Sequence, residues 1–255
     1  CSGNNRFGTL GDGGSISASI PQLYPVPGSR AVAGVVSSYH EASSRILHVL
    51  ATDGTIWGSG RNLFGELGNA NTSIQRTPVQ FGSRSDYVSM IGGPDHFCGI
   101  TSGGEVWCAG SNTYGQLGNG TCIDSSVPVR FALPAGEKAK AVEIGLNKHQ
   151  WHATIILTES GNIYSAGENQ YGRFGTGNLG SGANFAQCSV VKTDMPPGVL
   201  AQNLATTDAY SLYFMGSNGR PYAVGRNNLG QLGDGTLIDR LRPQPTLLPR
   251  VGLIF

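Results

Sequence analysis

The sequence predicts an all-β fold built from small antiparallel sheets, and three observations support this. A glycine-punctuated phrase of nine residues occurs five times, at 3–11, 60–68, 110–118, 167–175 and 225–233. Strand-like segments and tight-turn residues lie between the copies, and glycine is abundant, at 39 of 255 residues, while only 13% are charged. A long repeat with β-rich spacers is typical of propellers and solenoids, because one small sheet cannot cover its own apolar faces. We therefore predict a β-propeller of four-stranded antiparallel blades, forming a single domain over residues 1–255.

Each copy has the same predicted order of elements. A short apolar strand, as at 88–91 or 141–144, is followed by a loop and a second strand, as at 45–50 or 153–157. A turn pair then leads to a return strand. The turn pairs are Asp53-Gly54, Gly103-Gly104, Ser160-Gly161 and Asn218-Gly219. These residue types accept positive φ, so two-residue hairpin turns are predicted there. An aromatic ring recurs on the return strand and is predicted to be core between blades, at Trp57, Trp107, Tyr164 and Tyr222.

The phrase has the form Gly-x-Asn-x-x-Gly-x-Leu/Phe-Gly, and each fixed position has a structural explanation. Glycine suits sharp turns and close backbone approaches. The asparagine can bond its side-chain amide to nearby backbone groups and hold an irregular turn. The apolar residues before the second glycine and two places after it are predicted to be buried anchors. A downstream proline, as at Pro78 or Pro128, is predicted to start the outer edge strand, where a missing donor is tolerated. A phosphate-binding loop would need a following helix, and none is predicted.

This phrase, preceded by an aromatic return strand and a turn glycine, resembles the regulator-of-chromosome-condensation (RCC) repeat over nearly the whole chain. The resemblance implies a β-propeller, usually of seven blades, and we expect this chain to be part of such a propeller. Two features depart from the family pattern. Five copies are present, and the family's histidine before the second strand is kept only as His96, where other copies have Ile46, Ala153 and Ser211.

Cys98 and Cys108 lie on the two strands of one predicted hairpin, equidistant from its turn. Facing residues of antiparallel strands have Cα atoms about 4.5–5.5 Å apart, which is within disulfide range. Cys122 and Cys188 both follow the phrase in consecutive copies and could link neighbouring blades. Cys1 aligns with Cys108, so its partner is expected upstream. Five buried thiols are the alternative interpretation.

Two glycosylation sequons begin at Asn71 and Asn119, and together with the low charge they favour the oxidised interpretation. The sequence thus favours an extracellular or cell-surface location, and a cytoplasmic or nuclear one is the alternative.

Other function classes find little support in the sequence. The net charge is +1, so nucleic acid is not predicted as a partner, and no stretch approaches the length of a membrane-spanning helix. No nucleophile elbow, zinc-protease motif or glycosidase-like carboxylate pair occurs, so neither catalytic residues nor cofactors are predicted. His149 and His152 suggest a metal site, but no carboxylate or thiolate ligand is close to them in sequence, and exposed loop residues are the simpler interpretation.

The loops between the first and second strands of each copy are the predicted binding surface. Topology places the same connection of every blade on one face, and loops on a rigid scaffold carry function. These loops are rich in aromatic and histidine residues, as binding hot spots are. The predicted partner-binding residues are Tyr39, His40, Pro94, Asp95, His96, His149, Trp151 and Tyr210. For Trp151 and Tyr210, packing on a neighbouring blade is the alternative.

The predicted function is a non-enzymatic, protein-binding propeller that acts as a secreted, surface or assembly module. Members of the resembled family can act as guanine-nucleotide exchange factors for small GTPases, which is the first alternative, although the resemblance transfers no exchange residues to this chain. A hydrolase or lectin that uses the central channel is the second alternative.

Overall fold

The computed structural model describes residues 1–28, 31–40, 44–144, 152–180, 185–205 and 210–247. These ranges contain β-strands and one 3₁₀ turn, Gln170–Gly172, and no helix within them is long and apolar enough to cross a membrane. The strands are β1 Val32–His40, β2 Ser44–Ala51, β3 Ile56–Gly60, β4 Gln75–Gln80, β5 Tyr87–Gly92, β6 His96–Thr101, β7 Val106–Gly110, β8 Ser125–Arg130, β9 Ala139–Ile144, β10 Ala153–Thr158, β11 Ile163–Glu168, β12 Ala186–Lys192, β13 Ala201–Ala205, β14 Ser211–Gly216, β15 Pro221–Gly225 and β16 Arg240–Pro245.

The strands form four-stranded antiparallel sheets in simple up-and-down order. The orders are β1-β2-β3-β4, β5-β6-β7-β8, β9-β10-β11-β12 and β13-β14-β15-β16. In each sheet the phrase connects the third strand to the fourth, so the sheet is the structural unit of the repeat. The prediction of an all-β fold with four strands per sheet is confirmed.

The chain divides into two compact units. The first contains Cys1–Thr113 and Ile123–Phe131, and the second contains Tyr114–Cys122 and Ala132–Phe255. Strands β1–β8 belong to the first unit and β9–β16 to the second. A single domain over 1–255 stays a prediction.

The hairpin turns differ from the predicted two-residue loops. Three residues, Thr52 to Gly54, connect Ala51 to Thr55. The N–H of Gly54 donates to the C=O of Ala51 at 3.0 Å, and the N–H of Ala51 donates to the C=O of Thr55 at 2.8 Å. The other three sheets repeat this pair of bonds, and only the second residue of each predicted pair has positive φ, for example +77° at Gly54. A type I turn followed by a left-handed glycine explains both observations, and it needs one residue more than predicted.

Apolar side chains of the first unit fill the space between its two sheets. The cluster contains Leu50, Ile56, Phe81, Tyr87, Phe97 and Ala109. Phe81 meets Phe97 edge-on, with ring centroids 4.9 Å apart. A second cluster packs Tyr24 and Val26 on the first sheet. Trp57 and Trp107 are partly buried against these clusters, in agreement with their predicted place in the core.

The second unit has one larger cluster between its two sheets. Its buried members are Ala153, Ile155, Leu157, Ile163, Phe174, Val199, Ala201, Leu212, Phe214, Tyr222 and Val224. Phe214 and Tyr222 stack with centroids 5.3 Å apart. Each large side chain buried in this way contributes about 1.5–3 kcal/mol, so the inter-sheet cores are the main source of stability.

The phrase forms the asparagine-held turn that the sequence predicts. The side-chain oxygen of Asn62 accepts a hydrogen bond from the N–H of Leu67 at 2.9 Å, and equivalent bonds occur at Asn5, Asn169 and Asn227. The apolar residue two places after the second glycine is buried in all five copies. The residue before that glycine is less buried than predicted, because it lies at the rim of the turn. Leu229 is 81% exposed there, and its counterparts are half-buried.

The downstream proline lies inside the outer strand and not at its start. Pro78 is in β4, Pro128 in β8 and Pro243 in β16. In each of these strands the register shifts across a three-residue stretch that ends with the proline. A bulge leaves a residue without a ladder bond, so the missing donor of proline is tolerated there.

Both predicted cysteine pairs form disulfides. Cys98 in β6 faces Cys108 in β7, with Cα atoms 4.1 Å apart, and both are buried. Cys122 and Cys188, with Cα atoms 5.3 Å apart, join the segment after the third phrase to β12 within the second unit. Cys1 is a free, exposed thiol.

Candidate protein-interaction site

The residue just before the second strand of a sheet is the centre of the candidate site. Asp95, His152 and Tyr210 occupy this one repeat position, because the residue after each of them pairs with the first glycine of a phrase. All three lie at the end of their sheet where the loop from the first strand enters. This is the connection for which the sequence predicts partner binding.

In the first unit this position is buried. Pro94, Asp95 and His96 are all buried, and an Asp95 oxygen lies 3.8 Å from a guanidinium nitrogen of Arg61 in the second phrase. Glu66 of the same phrase is 1% exposed and accepts a bond from the N–H of Phe64 at 3.0 Å. Burial raises the pKa of Glu66 to about 7, because a charged carboxylate loses its hydration there. These side chains therefore form an ionisable cluster beneath the surface.

His48 lies buried in the adjoining core of the first unit. Its ring stacks on Phe97 with centroids 3.6 Å apart. Burial lowers the pKa of His48 to about 3, so the ring is neutral near pH 7.

In the fourth sheet, β13-β14-β15-β16, the same repeat position reaches the surface. Tyr210 is half-buried and meets Tyr171 edge-on, with centroids 4.6 Å apart. The guanidinium of Arg226 lies 5.1 Å from the Tyr171 ring and 4.9 Å from the Tyr210 ring. Burial, reinforced by Tyr171, raises the pKa of Tyr210, so its hydroxyl stays neutral. We call Tyr171, Tyr210 and Arg226 the tyrosine–arginine cluster.

A buried arginine from the same phrase as Tyr171 lies near this cluster. Arg173 donates from Nε and a terminal nitrogen to the C=O of Glu168, at 2.9 and 2.5 Å. Burial lowers the pKa of Arg173 to about 10, so it remains charged at neutral pH. Tyr171 has φ +62°, a left-handed conformation uncommon for a residue with a large side chain. Such strain is concentrated at functional sites, which makes Tyr171 a candidate binding residue.

His152 shows a third arrangement at this repeat position. Its ring stacks on Tyr114 of the third phrase, with centroids 4.6 Å apart and 5° between planes. His152 Nδ1 lies 3.3 Å from the side-chain nitrogen of Gln116. His152 is buried, so packing explains it.

The remaining predicted residues are only partly covered by the structure. Tyr39 and His40 end β1, where the backbone pairs with Arg45 and Ser44. His149 and Trp151 lie outside the described residues. The roles of these four stay predictions.

An apolar groove borders the tyrosine–arginine cluster. Its volume is about 340 Å³. The lining residues are Gln170, Tyr171, Leu179, Phe185, Asp239 and Leu241. Because Tyr171 belongs to both features, the surface combines a cation, aromatic rings and aliphatic side chains. Among the described residues, no group of three or more histidine, cysteine or acidic side chains could hold a metal ion.

Sequence reasoning missed Tyr171, Arg226 and Arg173, all of which lie in copies of the phrase. A signal was present at the second and seventh phrase positions. These positions carry Arg61 with Glu66 in one copy and Glu168 with Arg173, the reverse order of charge, in another. Because the charge at these two positions varies between copies, the turn itself does not require a particular residue there. Such positions are candidates for a functional role.

Comparisons with known proteins agree with this architecture. Models of the Regulator of chromosome condensation (RCC1) repeat match residues 88–116 and 103–147. The ultraviolet-B receptor UVR8 of Arabidopsis thaliana is 27% identical over 246 residues, which is 95% of this chain and 52% of that protein.

Solved structures show the same likeness. Human WBSCR16 has a TM-score of 0.67 at 18% identity, covering 97% of this chain and 63% of that one. Prp20p of Saccharomyces cerevisiae, described with its binding to Gsp1p and histones, has a TM-score of 0.69 at 19% identity, covering 91% and 54%. The chain thus spans about half the length of its curated relative and less than two thirds of these structures. Its residues 88–147 match the RCC1 repeat, and the chain has the β-propeller fold.

Proposed function

We propose that this chain is a non-enzymatic propeller module that binds another protein through the tyrosine–arginine cluster and the loops at the same end of the sheets. The cluster is the observation that carries this proposal. Tyr171, Tyr210 and Arg226 are each half-buried, so every one of them is anchored by packing and still presents surface to solvent. Tyrosine and arginine are the residue types enriched in binding hot spots.

The geometry of the cluster favours binding because its side chains are already held in place before a partner binds. Two rings hold the guanidinium of Arg226, and its Nε donates to Asn228 Oδ1 at 2.9 Å. A side chain fixed in this way loses little rotamer freedom on binding. The neighbouring Leu229 is exposed and adds apolar surface. We expect a partner surface that offers a carboxylate to Arg226 beside an apolar side chain.

The other predicted residues extend the proposed surface. Tyr39, His40, His149 and Trp151 belong to the same strand-to-strand connections, so we include them. Pro94, Asp95 and His96 are buried, and we assign Asp95 the role of positioning Arg61. The likeness to Prp20p supports a protein partner, since the fold is shared with a protein described as binding Gsp1p and histones.

The experiment measures binding of the purified chain to Gsp1p and to core histones by biolayer interferometry. We expect Arg226→Ala and Tyr210→Ala each to weaken binding at least about tenfold, the loss expected for a hot-spot residue. Arg220→Ala is the matched control, because Arg220 is an exposed arginine at the opposite end of the β14–β15 hairpin. Equal losses in the control, or binding of neither protein, would contradict the proposal.

The alternatives can be separated with the same proteins. An exchange factor would accelerate release of a fluorescent GDP from Gsp1p, whereas a binding module leaves the rate unchanged. A lectin or hydrolase would use the central channel, and glycan-array binding or turnover that survives Arg226→Ala would favour that class. Both alternatives stay predictions.

We also propose an oxidising, extracellular or cell-surface location. Two disulfides support it, since disulfides persist in oxidising compartments. Mass measurement before and after glycosidase treatment tests whether Asn71 and Asn119 carry glycans.

A further inference from the structure

One repeat position lies just after the fourth strand of each copy. The N–H of Phe81 donates to the C=O of Ile56 at 2.9 Å, and the residues that follow the other fourth strands make the equivalent bond. Tyr24 is the counterpart of Phe81 in the first copy, because each ring lies against the last glycine of its phrase. Two residues further on, four copies have an apolar residue and one has serine: Val26, Leu133, Met195, Leu248 and Ser83.

The apolar residue at this position packs with an aromatic ring of a third strand. Val26 belongs to the buried cluster against which Trp57 packs. Met195 packs on the cluster that contains Tyr222, and this tyrosine is only 5% exposed. The side chain that follows the fourth strand therefore helps to cover the ring.

The second sheet has a groove where this apolar side chain is missing. Ser83 lines the groove and is exposed, and it is too small to cover the indole of Trp107, which is half-buried beside it. Val127 and Pro128 of β8 add apolar surface. The volume of the groove is about 550 Å³, within the range of about 300–1,000 Å³ that is typical of small-molecule sites.

A strained alanine contributes to the same groove. Ala70 lines it and has φ +64°, a left-handed conformation that favours glycine. The other copies have glycine at this position: Gly13, Gly120, Gly177 and Gly235. Backbone strain of this kind is concentrated at functional sites, so Ala70 supports the interpretation of the groove as a binding site.

The charged groups beside the groove neutralise one another. The guanidinium of Arg84 lies 5.0 Å from the Trp107 ring and donates to both carboxylate oxygens of Asp86, at 2.9 and 2.7 Å. Glu105 lies 3.6 Å from the same guanidinium and 3.4 Å from that of Arg130. Two cations thus face two carboxylates, and a bidentate pair satisfies Arg84. A neutral ligand fits this charge balance better than an anion or a cation does.

Uncharged hydrogen-bonding atoms remain available in the lining. Asn69 accepts a bond from Asn62 through its amide oxygen at 3.0 Å, and Gln80 donates to the C=O of Arg84 through its amide nitrogen at 3.4 Å. The amide nitrogen of Asn69, the amide oxygen of Gln80 and the hydroxyl of Ser83 have no partner among the described residues. This set contains both donors and acceptors, and a ligand hydroxyl can serve as either.

We propose that the groove binds a neutral saccharide, with the C–H face of one sugar ring on Trp107 and its hydroxyls bonded to Asn69, Gln80 and Ser83. A sugar ring combines an apolar face with a hydroxyl edge and carries no charge, and the groove combines the matching features. A proline-rich peptide also packs on aromatic rings, but its prolines have no N–H to donate to Gln80. This site is separate from the tyrosine–arginine cluster, which belongs to the second unit.

NMR titration of the ¹⁵N-labelled chain tests the proposal. The probes are maltose, cellobiose, lactose and N,N′-diacetylchitobiose, and the reporter is the indole N–H signal of Trp107, assigned by its loss in Trp107→Phe. We expect at least one disaccharide to shift this signal. Ser83→Leu gives the groove the residue of the third copy and should weaken binding at least about tenfold. Ser85→Leu is the matched control, because Ser85 is an exposed serine of the same segment outside the lining.

A second variant tests the hydrogen bonds without filling the groove. Gln80→Leu should weaken binding about threefold to tenfold, the loss expected for one hydrogen bond. Urea denaturation of each variant shows that the fold is kept. A Trp107 signal that none of the four disaccharides shifts, or sugar binding that survives Ser83→Leu, would overturn the proposal. A shift caused by an octaproline peptide and by no saccharide would overturn it in favour of a proline-rich ligand.

Discussion

The seventh residue of the phrase shows how one position responds to its surroundings in each copy. Gln116 and Gln231 accept the N–H of the residue two places earlier, at 3.0 and 2.9 Å, through a neutral amide oxygen. Glu66 makes the same bond at 3.0 Å with a carboxylate. Because Glu66 is buried, its pKa rises to about 7, and the folded state holds its proton more tightly than the unfolded state does.

This sets the sign of a pH effect. The unfolded carboxyl titrates near 4.5 and the folded one near 7, so the contribution of Glu66 to stability is present below pH 4.5 and is lost as the pH rises to 7. Glu66→Gln keeps the hydrogen bond and removes the titration. We expect its free energy of unfolding to gain about 3 kcal/mol on the wild type between pH 4.5 and pH 8. Urea denaturation at both pH values measures this.

The difference in the free energy of unfolding between the wild type and Glu66→Gln isolates the contribution of Glu66. His48, whose pKa is lowered to about 3, has the opposite effect below pH 6.5, but it is present in both. A stability difference that is the same at both pH values would contradict a buried, titrating Glu66.

Individual residues were predictable where their role is local. The asparagine of the phrase bonds a backbone N–H five residues away, so its type and spacing identify the turn. Burial of Asp95 was not predictable, because it depends on Arg61 and Glu66 in the preceding phrase. Exposure of Tyr210 depends in the same way on Tyr171 and Arg226.

At the scale of the element, the glycines of the phrase and those of the loops have different roles. Gly65 and Gly120 have nearly the same φ, +84° and +83°. A side chain in this conformation costs about 1–2 kcal/mol at either position. Only Gly65 also faces a neighbouring strand, at Ser126, whereas a methyl group at Gly120 would meet nothing within 4 Å.

We therefore expect Gly65→Ala to destabilise the protein by at least about 2 kcal/mol more than Gly120→Ala, because the added methyl forces the turn of the phrase away from β8. Chemical denaturation of the two variants, compared with the wild type, gives the difference. Equal losses of stability would show that φ alone requires glycine in the phrase.

The two disulfides constrain loops of very different length. Cys98 and Cys108 are 10 residues apart, and Cys122 and Cys188 are 66 apart. Loop-closure entropy predicts that Cys98→Ala with Cys108→Ala costs about 3 kcal/mol and Cys122→Ala with Cys188→Ala about 4 kcal/mol. Denaturation without reductant measures both losses, and thiol titration of the unfolded wild type should detect Cys1 alone. More than one reactive thiol before reduction would contradict the pairing.

Strand positions and the Cys98–Cys108 register were predictable because alternation and turn residues act within one hairpin. The turn type was not predictable, because the pair Asp53-Gly54 is compatible with two kinds of turn. It can form a complete two-residue turn, or it can supply the last two residues of a three-residue turn. The place of Pro78 was missed for a similar reason: a bulge lets proline lie inside an edge strand.

At the scale of the whole molecule, the repeat period predicted equivalent sheets, and the likeness to solved propellers confirms that fold. The sequence alone could not show which faces remain uncovered. The fifth phrase has the same form as the others, and only its contacts show that Gly230 lacks a neighbouring strand among the described residues. The partner is equally hidden, since binding depends on residues such as Tyr171 and Tyr210 that are distant in sequence and adjacent in space.

The central claim is that the turn of a phrase packs on the outer strand of the following copy, and amide hydrogen exchange in dilute solution tests it most directly. The N–H groups of Gly13, Ala70, Gly120 and Gly177 cross from one copy to the following one. We predict that they exchange at least about 100-fold more slowly than the N–H of Gly235, which occupies the same repeat position without a described acceptor. Exchange of these four amides as fast as that of Gly235, while strand amides stay protected, would contradict the account.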